Sequence, residues 1–352
     1  MAHLPTTGGR LAKAAPVTAV AAAAAAAALL TVLAAPAGAR TTVRPPAVAP
    51  GGCTSATDPA LADRLAGDIT TALAGRQGTV ALTLWDAGTG TACGYRPAAH
   101  FDSASVVKAT IMAAVLRRAD EEGRPVTDWE EGNLRPMITQ SDNTAATALW
   151  LDLGRPRLEA FLRLAGLADT VLGADDHWGL TQVTAADELK VLALYADDPS
   201  VLSPESRAYG LDLMSQVVPE QRWGAPYGAP AAVTVHVKNG WLQRATHGWR
   251  VHSLGIFTGP GRSYRMAFLT HDNPTEAYGI STIQRVAQVV HRDLAAAAGS
   301  TAAVQPLPAG PDIGAPEVSD GSAPFERTGT EPPPEPGGPA GPLGPGRPWH
   351  RE

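Results

Sequence analysis

Residues 137–146 read Met-Ile-Thr-Gln-Ser-Asp-Asn-Thr-Ala-Ala and lie between two helical patterns. Ser141 and Asn143 are two residues apart, so a hydroxyl and a carboxamide on a short loop can face the same cleft. There the hydroxyl could relay a proton and the carboxamide could bind an amide substrate. Because serine, aspartate and asparagine all favour helix N-caps, this stretch taken alone indicates a cap and a turn.

An upstream motif, Ser105-Val106-Val107-Lys108, opens a helical pattern. Residues three apart on a helix lie on one face, about 5–6 Å apart, so Lys108 can reach the Ser105 hydroxyl. The positive end of the helix dipole also favours an alkoxide or an oxyanion at that serine. A helix cap followed by a solvated lysine explains the same residues, so the motif alone predicts a nucleophile only weakly.

A third motif, Lys238-Asn239-Gly240, follows the β-rich segment 233–237. On an edge strand, a lysine followed by a glycine presents a cation beside an unobstructed backbone. That combination suits a carboxylate on an extended, peptide-like ligand. Considered by itself, the motif is also explained by a charged strand end and a turn.

Hydrophobic periodicity predicts the elements between these motifs. Alternating or β-rich segments predict five strands: 79–85, 91–95, 233–237, 249–257 and 264–270. Apolar residues at helical spacing predict helices in three regions: 58–74, several within 105–195, and 278–294. Strands at both ends with helices between them imply an α+β fold, in which an antiparallel sheet is assembled from N- and C-terminal segments and flanked by helices.

The two ends of the chain have a different composition. Residues 1–39 combine a basic start, an alanine-rich apolar run and a small-residue site ending at Ala39, which predicts a signal peptide cleaved after Ala39 and a secreted product. An uncleaved anchor is the alternative, because the run is almost long enough to span a bilayer. Residues 40–52 predict a flexible leader. Because 13 of the 31 prolines fall in 301–352, we predict a Pro/Gly-rich disordered tail over 299–352.

Composition and charge exclude several classes of function. Of the 352 residues, 44% are hydrophobic and 18% are charged, which is typical of a globular core. A net charge of -6 offers no basic surface for nucleic acid, so we expect no nucleic-acid partner and, after signal removal, no membrane span. Cys53 and Cys93 predict one disulfide in an exported chain, with two unrelated thiols as the alternative.

Together and in this order, the three motifs resemble the serine and lysine motif set of class A β-lactamases and penicillin-binding proteins. The resemblance extends from about Leu61 to His291. It implies a β-lactamase/transpeptidase-like fold with an all-helical lobe, in a serine hydrolase domain over 53–298. The implied chemistry is acyl transfer on a penicillin or a D-alanyl peptide, and we expect no cofactor and no metal.

The resemblance also implies the roles of the reacting groups. Ser105 would be the nucleophile and Lys108 its base or proton relay. Ser141 would pass a proton to the leaving nitrogen. The backbone N–H groups of Ser105 and Trp241 would form the oxyanion hole.

Substrate binding is implied for five residues: Asn143 on the amide, Lys238 on the carboxylate, and Asn239, Gly240 and Arg250 beside them. Asn239 stands where the family usually has threonine or serine, and Trp241 stands where it has a small hydroxylic residue. One carboxylate-binding hydroxyl is therefore missing. Arg250 or Arg244 would compensate for it, unless each is an ordinary solvated arginine.

The largest departure from the family lies in residues 173–180, which read Gly-Ala-Asp-Asp-His-Trp-Gly-Leu. In the family, a glutamate and an asparagine of the corresponding loop position the water that hydrolyses the acyl-enzyme. This loop has no such pair. Asp175, Asp176 and His177 are the local candidates for the deacylation base, and each is also compatible with an ordinary loop residue. We therefore expect deacylation to be the slow step.

These observations predict an exported serine hydrolase of the β-lactamase-like kind, whose β-lactam hydrolysis is slow. Two alternatives remain open at this point. One is a D-Ala-D-Ala carboxypeptidase or esterase with the same acyl chemistry, and the other is a penicillin-binding sensor module that stays acylated. In each case the expected partner is a small β-lactam or a cell-wall peptide, and the protein is expected to act as a monomer.

Overall fold

The computed structural model describes residues 51–299 and 318–324; the predicted signal peptide, most of the leader and the rest of the tail lie outside the described residues. In the described ranges the strands are β1 Gly52–Ser55, β2 Thr79–Asp86, β3 Thr91–Tyr95, β4 His100–Asp102, β5 Gln182–Thr184, β6 Thr234–Gln243, β7 Trp249–Gly259 and β8 Arg262–Asn273. The helices are α1 Pro59–Leu73, α2 Val107–Glu121, α3 Asp128–Thr139, α4 Asn143–Leu164, α5 Ala185–Ala196, α6 Pro204–Ser215 and α7 Glu276–Ala297.

The main sheet is antiparallel and joins both ends of the domain. Its strand order is β1-β3-β2-β8-β7-β6, and the N-terminal and C-terminal strands meet where β2 pairs with β8. The α+β prediction is therefore confirmed. Strand β6 forms one edge of the sheet and continues to Gln243, six residues past the predicted strand end, so the motif at 238–240 lies inside the strand.

One face of the sheet is covered by the first and last helices. The leucines and isoleucine spaced four apart on α1, Leu61, Leu65 and Ile69, are buried together with Ile283 and Val286 of α7. This apolar spacing is the pattern that identified α1 in the sequence. Burial of these side chains ties the two ends of the domain together.

The other face packs on the helical lobe, and α2 is the central helix of that lobe. Eleven of the fifteen residues of α2 are buried, including Lys108. Helix α3 begins at a capping box in which Thr127 and Glu130 satisfy each other's backbone N–H groups. Helix α4 changes direction at Gly154, whose φ is 68°. A helix buried on nearly every side holds the residues at its N-terminus rigidly, and these include Ser105 in the preceding turn.

The predicted disulfide is present between Cys53 and Cys93. These two residues face each other in the register of β1 against β3, so the bond fastens the edge strand to its neighbour. It closes a loop across a sequence separation of 40 residues. Such a loop contributes about 3–4 kcal/mol to stability in the chain-entropy account.

None of the helices in the described part of the chain combines the length and apolar character that a transmembrane span requires.

Candidate active site

Ser105 lies in a 3-10 turn, Ala104–Val106, directly before α2. The preceding residue, Ala104, has a φ of 45°, a left-handed conformation that is uncommon for residues with a Cβ and is found at functional sites. Lys108 lies one turn along the helix, and its Nζ is 2.8 Å from Ser105 Oγ. The hydroxyl therefore faces an amine close enough to accept its proton.

The loop between α3 and α4 provides the other partners of this amine. Lys108 Nζ donates to the backbone oxygen of Ser141 at 2.6 Å and to Asn143 Oδ1 at 2.6 Å, and it lies 3.1 Å from Ser141 Oγ. Ser141 has a φ of 60°, so its backbone is also left-handed. Asp142 caps α4 by accepting from Ala145 N, which anchors the loop. The helix cap predicted from this stretch is therefore present, and the same loop places Ser141 and Asn143 beside Lys108.

Strand β6 brings a second lysine to the same hydroxyl. Lys238 Nζ lies 2.9 Å from Ser141 Oγ and 2.7 Å from the backbone oxygen of Asn239. Ser141 Oγ therefore lies between two amines. A hydroxyl in that position can pass a proton from one side of the cluster to the other.

Burial changes the protonation of both lysines. It lowers the pKa of Lys108 to about 8, although the negative charges of Asp320 and Asp142 act in the opposite direction. Complete burial, followed by the positive charge of Lys108, lowers the pKa of Lys238 well below its ordinary value, with Asp320 opposing the shift. Desolvation disfavours the charged form of an amine. A neutral Lys108, which can act as a base, is therefore accessible near neutral pH.

Gly240 allows β6 to approach Ser105 closely. A Cβ at this position would lie 2.7 Å from the backbone nitrogen of Ser105 and 2.9 Å from that of Val106. Any larger residue would therefore separate the strand from the turn at Ala104–Val106. The observed contact gives Gly240 a packing role beside the substrate-binding role expected from the sequence.

Asn239 differs from the expectation that it faces the substrate. Its Nδ2 donates to the backbone oxygens of Gln221 at 2.8 Å and Trp223 at 2.9 Å. Successive side chains on a strand point to opposite faces. Asn239 therefore points away from the side on which Lys238 meets Ser141, and it secures the loop before β6.

Arg250 is buried and ion-paired. Its Nη2 lies 2.7 Å from Asp102 Oδ2, and Nε of Arg244 lies 4.0 Å from the same oxygen. Asp102 ends β4 and comes three residues before Ser105. The arrangement gives Arg250 a structural partner in addition to any carboxylate of a substrate.

The loop at 173–180 places its acids away from the lysine cluster. Asp175 and Asp176 are exposed, and Asp176 Oδ1 accepts a hydrogen bond from Trp150 Nε1 at 3.1 Å. The residue of this loop that reaches the cluster is Trp178, which is buried and has its ring centre 4.8 Å from Lys108 Nζ. Trp178 is not among the residues predicted from the sequence, because the candidates in this loop were chosen for their titratable side chains.

Part of the predicted disordered tail also lies at the site. Asn143 Nδ2 donates to the backbone oxygen of Asp320, and the Trp241 indole Nε1 donates to the backbone oxygen of Val318 at 2.9 Å. Gly179 N donates to the oxygen of Ser322 at 3.1 Å. The sequence predicted a tail without a place in the domain, and residues 318–324 differ from that prediction. Composition shows that a segment has no core of its own, but it does not show whether a cleft elsewhere binds it.

One group of side chains in the described ranges has the composition of a metal site. The ligand atoms of His247, His271 and Asp272 lie within 4.8 Å of one another. The Asp272 carboxylate is already 3.0 Å from His247 Nδ1 and 3.3 Å from His271 Nδ1. None of these three residues contacts Lys108 or Lys238 through a hydrogen bond.

Comparisons with known proteins find a matching family and solved structures with a similar fold. A family model described as the beta-lactamase enzyme family matches residues 64–128 and 133–294. A class A beta-lactamase from Bacteroides cellulosilyticus is 18% identical, with a TM-score of 0.58, and the match covers 66% of this chain and 98% of that one. PBP-A is 22% identical, with a TM-score of 0.56, over 66% and 96% of the two chains. The TLA-3 extended-spectrum beta-lactamase is 17% identical, with a TM-score of 0.59, over 66% and 98%. No curated protein matches the sequence.

Proposed function

The chain belongs to the beta-lactamase enzyme family, and on that premise we propose that it forms a covalent acyl-enzyme on Ser105 with β-lactams or D-alanyl peptides and hydrolyses it slowly. One observation carries the proposal: Lys108 Nζ lies 2.8 Å from Ser105 Oγ inside a buried cluster. A serine is a weak nucleophile until a neighbouring base accepts its proton. The lowered pKa of Lys108, about 8, supports it as that base.

Acylation then proceeds by proton transfer within the cluster. Neutral Lys108 accepts the hydroxyl proton as Ser105 Oγ attacks the substrate carbonyl, and the backbone N–H groups of Ser105 and Trp241 stabilise the oxyanion. The amide bond breaks, and its nitrogen receives a proton through Ser141 Oγ. The position of Ser141 Oγ, 3.1 Å from Lys108 Nζ and 2.9 Å from Lys238 Nζ, supports that relay.

Substrate binding would use the groups that line the same cleft. Asn143 would hold the substrate amide, and Lys238 would attract its carboxylate. Because Arg250 is paired with Asp102, we assign the main attraction to Lys238 and a secondary, partly neutralised one to Arg250.

Deacylation requires a water molecule with a base beside it. The buried side chain that the 173–180 loop directs at the lysine cluster is the indole of Trp178, which has no basic atom. The exposure of Asp175 and Asp176 supports the same conclusion. We therefore propose that the acyl-enzyme is long-lived, which also keeps the non-turnover penicillin-binding function as a second candidate.

A peptidase function on D-alanyl peptides is favoured by a separate observation. The backbone of Trp241 on the edge strand β6 accepts a hydrogen bond from the N–H of Asp320 at 3.2 Å. A strand edge that binds one extended peptide can bind another. This contact supports a peptide substrate beside the β-lactam.

We also propose that the protein is exported and that the mature chain begins at Arg40. The disulfide between Cys53 and Cys93 supports an oxidising compartment. N-terminal sequencing of protein recovered from the culture medium tests this proposal, and a start at residue 1 would contradict it.

The activity itself is tested by mixing the purified protein with a chromogenic cephalosporin and following absorbance and intact mass together. We expect a mass increase equal to the whole drug, formed within seconds, together with an absorbance burst equivalent to one drug molecule per protein, followed by slow steady-state turnover. Rapid drug consumption with unmodified protein would show a competent deacylation base. Neither adduct nor turnover with a β-lactam or a D-alanyl peptide would reject the proposed function.

A further inference from the structure

Residues 318–324 contact both walls of the cleft that contains Ser105. On one wall Asn143 and Gly179 donate to the backbone oxygens of Asp320 and Ser322. On the other wall Asp320 N donates to Trp241 O at 3.2 Å. These are the walls that a substrate would have to contact, and Ser105 has no exposed surface in this arrangement.

The side chain of Asp320 occupies the region expected to stabilise the oxyanion. Its Oδ2 lies 3.5 Å from the backbone nitrogen of Trp241, one of the two donors assigned to the oxyanion hole. Its charge acts on both buried lysines, Lys108 and Lys238. Two buried amines disfavour each other's charged form, and a carboxylate beside them offsets that repulsion.

From these contacts we propose that the cleft is a binding site for an extended peptide with an acidic side chain, and that residues 318–324 are its intramolecular ligand. The functional consequence rests on the proposed function. Residues 318–324 compete with the substrate for the cleft, and they must leave it before Ser105 can be acylated.

The connection to the domain makes such binding effective. Eighteen residues, 300–317, separate Gly299 from Val318, and a chain of that length spans up to roughly 60 Å when extended. Because residues 318–324 belong to the same chain as the cleft, their binding is intramolecular and benefits from a raised effective concentration. A weak peptide contact is therefore enough to keep the cleft occupied, and a substrate with higher affinity can still displace it.

Gly179 allows the segment to be displaced without changing any charge. The three nearest atoms that an added Cβ would meet all belong to Ser322, and the Cβ would overlap its backbone oxygen. The φ of Gly179 is not among the left-handed values, so alanine fits the local backbone. Gly179→Ala should therefore exclude residues 318–324 without substituting any residue of the lysine cluster.

The first experiment measures the second-order rate of acylation by a fluorescent penicillin in the full chain. If the segment occupies 90–99% of the molecules, we expect Gly179→Ala and Asp320→Ala each to raise the rate about 10- to 100-fold. Val318→Ala is the matched control, because that side chain is 59% exposed and only its backbone oxygen is used; it should keep the wild-type rate. Unchanged acylation rates in both Gly179→Ala and Asp320→Ala would overturn the proposed competition between residues 318–324 and the substrate.

A synthetic peptide of residues 318–324 provides the reverse test. Added at millimolar concentration to the Asp320→Ala chain, it should return the acylation rate toward the wild-type value. The same peptide carrying alanine at the Asp320 position should inhibit less. No inhibition by either peptide would contradict a peptide-binding cleft.

A readout without any acylation separates this inference from the proposed function. Hydrogen exchange should show protection of the Asp320 amide in the wild-type chain and loss of that protection in Gly179→Ala. Exchange at the rate of free peptide in the wild-type chain would overturn the inference even if penicillin labels Ser105. Protection of the Asp320 amide without any labelling of Ser105 would support binding of residues 318–324 in the cleft and reject the proposed hydrolase function. Protection that increases with protein concentration would show that the segment binds a second copy, and would overturn the intramolecular form.

Discussion

The two sides of the cleft differ in whether their ionisable side chains are buried or exposed. On the side formed by α2 and β6, Lys108 and Lys238 have no exposed surface. Both amines lie within hydrogen-bond distance of Ser141 Oγ. On the loop at 173–180, the acids are exposed to solvent and the buried side chain is an indole.

This contrast indicates that the structure is better suited to acylation than to deacylation, the two steps of the proposed acyl transfer. A buried amine with a lowered pKa is suited to activating a serine. An exposed carboxylate in water is poorly suited to activating a water molecule held at a buried ester. We therefore expect substitutions at Ser105 and Lys108 to have large effects on acylation. Substitutions in the 173–180 loop should have small effects on the lifetime of the acyl-enzyme.

The largest effect is expected from Ser105→Ala. Covalent labelling by a fluorescent penicillin should fall to background, because the cluster then has no hydroxyl at the position of the nucleophile. The melting temperature should change little, since Lys108 keeps its contacts with Ser141 and Asn143. Labelling at the wild-type rate in a folded variant would place the nucleophile elsewhere.

Replacing the amine of Lys108 should be nearly as damaging. Lys108→Met keeps the approximate length of the side chain and removes the base, so acylation should slow by a factor of about 10²–10⁴. Lys190→Met is the matched control, because Lys190 is partly exposed and pairs with Asp187 on α5. If both variants label at the wild-type rate, Lys108 is not the base.

The pH dependence of acylation gives the next largest effect. With a pKa of about 8 for Lys108, the neutral fraction falls roughly tenfold for each pH unit below 8. The rate constant should therefore rise about fiftyfold from pH 6 to pH 8 and level off above about pH 9, roughly a hundredfold above its value at pH 6. Because the charge of Asp320 raises the pKa of Lys108, Asp320→Ala should move the midpoint to lower pH. A flat profile across this window would contradict a lysine base.

The smallest effects are expected on the loop. Asp175→Asn, Asp176→Asn and His177→Gln should each change the lifetime of the acyl-enzyme by less than about twofold, because Asp175 and Asp176 are exposed and His177 is half-buried, whereas an effective base has to face the buried ester. Asparagine at position 176 keeps an oxygen for the hydrogen bond from Trp150. Intact-mass measurement after removal of excess benzylpenicillin gives the lifetime. A tenfold longer lifetime in any one variant would identify that residue as the deacylation base. It would contradict the conclusion that the 173–180 loop lacks an effective base.

Much of the fold could be predicted from local patterns. The helix predicted over 58–74 is α1 at Pro59–Leu73, and the strand predicted over 91–95 is β3 at Thr91–Tyr95. These predictions succeed because the period of apolar residues reflects which face is buried. The strand predicted over 233–237 ends before Lys238, whereas β6 continues to Gln243. The burial of Lys238 against Ser141 depends on a contact between residues 97 positions apart, which local patterning does not reveal.

The candidate site was predictable in its motifs but not in its surroundings. The spacing of Ser105 and Lys108 follows from helix geometry, so their proximity could be expected. Asn239 was assigned to the substrate from its motif, and the alternation of the strand instead directs it to the oxygens of Gln221 and Trp223. Trp178 carried no titratable signal and was overlooked.

By itself the sequence determined the motifs, the order of helices and strands, the pairing of Cys53 with Cys93, and the absence of a glutamate and asparagine pair from the 173–180 loop. All of these depend on residue identity or on spacing along one element. Only the tertiary structure decided that two lysines share one hydroxyl, that an indole faces Lys108, and that residues 318–324 contact the cleft. Those contacts join segments far apart in the chain, and the burial that brings them together also sets the pKa of each lysine.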